Sequence, residues 1–177
     1  MQERETMLAR QPRTSRRPRD RGAAALEFAL VMPILFLLLF GIIDYGLLFF
    51  DSIGLRQGAR EGARQAVVQK YDAACTSGTA GAKIACTTKR ATDNTLGSPV
   101  VYIPAPTGAG TPAWSQGNQL LVCVQVKERS LTGFVPYPTN GILKTKTYMS
   151  IEVPTPVVDP TYNSDAAPAG SDWSWCS

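Results

Sequence analysis

The 177-residue chain contains no histidine. Histidine is the side chain that changes charge near neutral pH, so its absence removes Ser-His-Asp and Cys-His triads and most catalytic zinc sites. There are only four cysteines, Cys75, Cys86, Cys123 and Cys176, and no two stand at the C-x2-4-C spacing of a structural zinc site. A phosphate-cradling glycine loop, an internal repeat and a paired catalytic carboxylate motif are all missing as well. The expectation is a non-enzyme with no cofactor, no metal and no small-molecule substrate. Net charge is scarce beyond the first residues. Arg4, Arg10, Arg13, Arg16, Arg17, Arg19 and Arg21 face only Glu3, Glu5 and Asp20, which accounts for the whole formal charge of +4. From residue 22 onward eleven basic residues balance eleven acidic ones. The basic pI therefore marks an arm and not a nucleic-acid-binding surface.

What the chain does have is a long apolar run. Residues 28–43, F-A-L-V-M-P-I-L-F-L-L-L-F-G-I-I, carry no charge, and G-L-L-F-F resumes the pattern after Asp44 and Tyr45. Residues 23–50 supply the roughly 20 apolar positions that a helix needs to cross a bilayer core. No polar face recurs at 3.6 residues, as it would in a surface helix of a globular domain. Pro33 is compatible with a transmembrane helix. The stretch exceeds the 7–15 residues of a secretory signal's apolar core, and no A-x-A-like cleavage site follows it. Arg16-Arg17 lacks an apolar residue close behind, so it reads as arm composition and not as a twin-arginine signal. Seven arginines before the helix outnumber Arg56, Arg60, Arg64 and Lys70 after it, which predicts a cytoplasmic N-terminus. All four cysteines then fall on the outer, oxidising side, where disulfides are expected. Four cysteines allow three connectivities. Proximity favours Cys75 with Cys86, and elimination leaves Cys123 with Cys176.

The junction of arm and helix reads R-D-R-G-A-A-A-L-E-F-A-L-V: a basic leader ending at Gly22, three small residues, then Glu27 ahead of the apolar run. It looks like the processing site of type IV-type prepilins, in which a membrane peptidase cuts after the glycine. The longer stretch over residues 21–67 adds Q-G-A-R-E-G-A-R-Q-A-V after the membrane segment, and together the two closely resemble the TadE-like family of tight-adherence pilus systems. The resemblance covers about a quarter of the chain. It implies a minor pseudopilin of a pilus and secretion system, structural and non-catalytic. Its partners would be the prepilin peptidase, other pilin and pseudopilin subunits, and the inner-membrane assembly platform. It also implies processing between Gly22 and Ala23, and it marks Arg60, Glu61, Gly62, Ala63 and Arg64 as part of the family pattern.

The residues support a physical reading beside the resemblance. A carboxylate in an apolar helix costs about 2.5–3.5 kcal/mol at bilayer centre and usually serves a purpose. Glu27 in the first turn is favoured by the helix dipole. After cleavage it could also pair with a new α-amino group at Ala23, in its own chain or a neighbour's. Asp44 reads as a marker of the outer membrane interface beside Tyr45. Beyond it Gly54, Gly58, Gly62 and Ala66 recur every four residues, a small-residue stripe that lets helices approach closely. Arg56, Arg60 and Arg64 recur on roughly the opposite face.

The remainder predicts a small outer domain. A second helix is expected over residues 82–94 and short strands over 100–103, 119–128 and 142–153, the last two by alternation of apolar and polar residues. The apolar loop L-T-G-F-V-P-Y-P, residues 131–138, is expected to cover a sheet face. The tail ending W-S-W-C-S reads as tied back by its cysteine. The fold class is α+β: a long N-terminal transmembrane helix, then a small extracytoplasmic antiparallel sheet, pilin-like in arrangement. The expected boundaries are a basic leader at 1–22, a membrane helix at 23–50, its extension at 51–70 and the outer domain at 71–177. The competing functional class is an uncleaved, single-pass membrane-anchored module that binds a partner outside the cell membrane.

Overall fold

The computed structural model describes residues 18–108, 114–133, 136–153 and 165–177. Most of the basic leader, residues 1–17, lies outside the described residues, as do parts of the loops at 104–112 and 131–138 and the segment 154–164. The elements are α1 (Pro18–Val67), α2 (Ala80–Ala91), β1 (Val100–Tyr102), β2 (Gln119–Lys127) and β3 (Ile142–Ser150). The chain is α+β, with a long apolar helix, a second helix and a three-stranded antiparallel sheet.

α1 begins five residues before the expected start at position 23, because Pro18 has the fixed φ that suits the first helical position. It passes through Pro33 without a break. Its end is a Schellman motif: the Gln69 amide donates to the Ala66 carbonyl (3.0 Å) and the Lys70 amide to the Gln65 carbonyl (2.9 Å). Gln69 takes the left-handed conformation there, with φ of 54°. α2 starts at Thr79, whose hydroxyl accepts from the Ala82 amide (3.2 Å), and ends with Lys89 and Arg90 in its last turn, where cations suit the dipole. A Cys75–Cys86 disulfide, Cα atoms 5.6 Å apart, staples the connection to α2.

The chain divides into two compact units, Met1–Leu39 and Phe40–Ser177. The second unit therefore starts inside α1, and the upper part of that helix shares a body with the sheet. Strand order is β1-β2-β3, with Val101 opposite Val124 and Val124 opposite Thr145. Side chains of a strand alternate between faces. Leu120, Val122, Val124 and Val126 of β2 pack with Leu55, Ala59, Ala63 and Ala66 of α1 and Ile84 and Ala85 of α2 in the main core.

β2 is buried along both faces, which alternation alone did not reveal. On its second face Leu121 and Cys123 lie under the tail, with Cys176, Tyr102, Trp173 and Trp175. The Cys123–Cys176 disulfide, Cα atoms 6.1 Å apart, fixes this cover. Tyr102 stacks on Trp173 at 5.3 Å between ring centroids. Gln125 has no exposed surface, yet both ends of its amide are satisfied: Nε2 donates to the Asp172 carbonyl (2.7 Å) and Oε1 accepts from Ser171 Oγ (2.6 Å). Buried amides persist where they find such partners.

Candidate assembly surface on the first helix

From position 22 to position 39 every side chain of α1 is exposed. Leu30, Ile34, Leu37 and Ile42 are among the most open large apolar residues. The helix is long and apolar enough to cross a membrane. A helix apolar on all sides finds its favourable surroundings in lipid or in neighbouring helices. Gly22 and Ala23 lie within helical backbone, and a Cβ added at Gly22 would meet nothing within 4 Å. Glu27 is exposed one turn above Ala23. At 1.5 Å per residue, the Ala23 and Glu27 Cα atoms are separated by about 6 Å along the helix axis.

Above position 40 the same helix is engaged with its own chain. Gly58, Gly62 and Ala66 are buried, and α2 with its C-cap lies against Gly58 and Gly62. A Cβ at Gly58 would stand 2.7 Å from the Ala91 carbonyl oxygen, and one at Gly62 would stand 2.8 Å from the Thr88 Cβ. Gly54 has more room, with Thr95 Cγ2 3.7 Å away. Ala66 has no exposed surface. The stripe is thus occupied inside the chain over its upper three positions. In the R-E-G-A-R segment, Gly62 and Ala63 are buried, whereas Arg60 and Arg64 point outward. Glu61 accepts from Arg64 Nε and Nη2, both at 2.9 Å, and from Gln65 Nε2 at 2.7 Å. Exposed i,i+3 pairs of this kind contribute a few tenths of a kcal/mol.

Asp44 is more than an interface marker. It has no exposed surface. Its carboxylate accepts from Ser130 Oγ (3.2 Å), the Leu131 amide (3.1 Å), the Thr132 amide (3.3 Å) and Thr132 Oγ1. The Tyr137 hydroxyl donates to the Asp44 carbonyl at 3.0 Å. The described part of the 131–138 loop is therefore tied to α1, and Leu131 is left exposed rather than covering a sheet face. A carboxylate with that many donors outcompetes the apolar packing that the loop's composition suggested.

Asp51, two turns further up the helix, is also buried, and its Oδ1 accepts from the Leu96 amide at 3.3 Å. Both acids sit in the pattern Asp44, Leu48, Asp51, Leu55, which is the buried face of the helix. That spacing was the available signal. An acid at an inward position of an apolar stripe implies a partner; placing Asp44 at the membrane interface, and Asp51 in the helix extension without a role, passed over that signal. No paired carboxylate motif stands in the sequence, whereas the fold brings Asp51 beside Glu128. Among the described residues no group of three or more Cys, Asp or Glu side chains is arranged to hold a metal ion.

The model of the TadE-like protein family matches residues 22–64. The matched segment begins at the glycine of the arm–helix junction and ends at the last arginine of R-E-G-A-R. It contains none of α2 or the sheet. No curated protein matches the chain, and no solved structure does.

Proposed function

We propose that this chain is a minor pseudopilin, a structural and non-catalytic subunit of a tight-adherence pilus and secretion system. It is inserted once in the cell membrane with its N-terminus in the cytoplasm. The observation that carries the reading is the family match over residues 22–64, because it coincides with the part of α1 that holds the junction and the fully exposed apolar surface. The lower helix would meet lipid first and other pilin and pseudopilin subunits afterwards. The inner-membrane assembly platform would be its partner during that transfer.

The membrane-embedded stretch in this reading is residues 23–43, shorter than the 23–50 that hydropathy suggests. Asp44 and the loop that engages it belong to the outer body. Twenty-one residues of helix span about 31 Å, which matches the hydrocarbon core.

Processing between Gly22 and Ala23 by a prepilin peptidase completes the proposal. An arm with seven arginines is held at the anionic cytoplasmic leaflet by about 1 kcal/mol per cation near the surface. It would resist the outward movement of the helix into an assembly, so an assembly-competent subunit loses it. The cut creates an amine one helical turn from Glu27, in the same chain and within reach of a neighbour's Glu27. Two charges that are each costly to desolvate then compensate one another. The test is the N-terminal sequence of the protein recovered from its native membrane. A chain beginning at Ala23 supports the pseudopilin. One beginning at Met1 or Gln2 replaces it with an uncleaved, membrane-anchored binding module.

A further inference from the structure

Two buried carboxyl groups meet where α1, the turn after α2 and the end of β2 converge. Asp51 is 1% exposed and Glu128, immediately after β2, is 5% exposed. The Leu96 amide donates to Asp51 Oδ1, and the next residue, Gly97, lies against the Glu128 carboxyl. The other oxygens, Asp51 Oδ2 and Glu128 Oε1, are buried without a hydrogen-bond partner. The two carboxyls lie within hydrogen-bonding reach of each other. A Cβ at Gly97 would stand 2.8 Å from the Lys127 carbonyl oxygen and 2.9 Å from Glu128 Oε1, so glycine lets the turn lie against the end of β2 and its carboxyl. Two ionised carboxylates in this place would leave both orphaned oxygens charged and repelling. A single proton between them satisfies both at once.

The surrounding groups do not supply another solution. On α1 the Asp44 carboxylate is already engaged by Ser130, Leu131 and Thr132. The Tyr137 hydroxyl is committed to the Asp44 carbonyl. Burial, followed by the charges of Asp44, Glu128 and Asp51, pushes its own ionisation up, so it stays neutral. Lys127 Nζ donates to the Ala169 carbonyl at 3.3 Å, and Arg129 is exposed. No basic group contributes to the shift at Glu128. Among the described residues no third carboxylate joins the pair, so a divalent cation here would have to draw most of its ligands from water.

We propose that Asp51 and Glu128 share one proton and form a pH-sensitive latch that holds the α2–β1 turn and the end of β2 on α1. Burial first, and the neighbouring Asp51 charge second, push Glu128 up to about 7 from an ordinary 4.5. The closed state therefore holds a proton that the opened state releases across that interval. Closure is strongest at or below about pH 4.5 and weakens by up to tenfold per pH unit until about pH 7, roughly 300-fold in all, and then levels off. The proton leaves Glu128 to water, which reaches it through the adjoining cavity of about 400 Å³ lined by Leu96, Gly97, Ser98 and Arg129.

The test uses the full chain in lipid nanodiscs, with carboxyl-carbon NMR titration of Glu128 and hydrogen exchange at the Leu96 and Gly97 amides, corrected for intrinsic exchange. The expected result is a Glu128 midpoint near 7 with amide opening that grows from pH 5 to 7 and is flat above it. Glu128→Gln keeps a donor for Asp51 and should hold the latch closed at every pH. Asp51→Asn removes the neighbouring charge and should lower the Glu128 midpoint, with burial still holding it above an ordinary glutamate. A Glu128 midpoint below about 5.5, opening that is the same from pH 5 to 8, or an unchanged pH dependence in Glu128→Gln would overturn the proposal. Restoration of protection at pH 8 by millimolar calcium or magnesium would also overturn it, in favour of a cation site. If neither variant folds, the titration of the unmodified chain decides alone.

Discussion

Gly62 of α1 and Thr88 of α2 lie so close that a Cβ at Gly62 would stand 2.8 Å from the Thr88 Cβ and 2.9 Å from its Cα. The atoms in the way include backbone, which cannot swing aside. Replacing a helical glycine by alanine ordinarily stabilises by up to about 1 kcal/mol. At Gly62 and Gly58 overpacking of about 1–3 kcal/mol should outweigh that gain. Gly62→Ala and Gly58→Ala are expected to lower the thermal midpoint in detergent, whereas Gly54→Ala, with 3.7 Å to its nearest neighbour, should leave it unchanged or raise it.

Asp44 is the acceptor that gathers the 130–132 turn onto α1. Asp44→Ala should cost about 3 kcal/mol, because several donors lose a charged partner at once. Asp44→Asn keeps the size and half the acceptor capacity, so its cost should be smaller. Hydrogen exchange at Leu131 and Thr132 reads the effect directly. Unchanged protection of both amides in Asp44→Ala would contradict the assignment.

The two disulfides should differ in weight. In the chain-entropy account, a bridge closing 53 residues contributes about 4 kcal/mol and one closing 11 contributes about 3 kcal/mol. Cys123→Ser should also uncover the second face of β2, so tryptophan emission from Trp173 and Trp175 should shift to the red. Cys75→Ser should leave that emission unchanged. Denaturant titrations of both variants, followed by fluorescence, separate the two contributions.

Gly22→Leu is expected to leave a full-length, membrane-inserted chain that does not support pilus formation. Glu27→Ala should still be trimmed to Ala23 and yet assemble poorly, since the new amine lacks its counter-charge. Immunoblots of membranes and of sheared surface filaments distinguish the two defects. Equal filament yield from Glu27→Ala and the unmodified chain would remove Glu27 from the assembly step.

Much of the architecture was readable from local pattern. The alternation of Leu143, Thr145, Thr147 and Met149 against Lys144 and Lys146 marks β3 because only one face of that strand is turned to the core. Position 18 begins the helix for a backbone reason that a proline announces, although the basic composition of the arm obscured it. The occupant of the glycine stripe was not readable, since small residues favour close approach without naming the neighbour. Nor was the role of Asp44, Asp51 and Glu128. The inward spacing of Asp44 and Asp51 implies partners without naming them, and the partners appear only when strand pairing carries residues 128–132 back to α1. The second burial face of β2 was hidden for the same reason, because it depends on a tail that returns from position 165 onward.

The attachments of α1 to its own unit are distributed along the helix rather than gathered at one end. Asp44 is held by the 130–132 turn, Asp51 by Leu96, Gly58 and Gly62 by α2, and the Val67 carbonyl by the Glu152 amide. These points span about 35 Å of helix axis at 1.5 Å per residue. Traction along that axis would load them side by side, in shear, so that several must yield together. Pulling at right angles would peel them one after another. Resistance to mechanical extraction is a rate set by the unfolding barrier. A lengthwise pull therefore leaves the helix joined to the body it carries, and this is the load that the proposed role as a pilus subunit would impose.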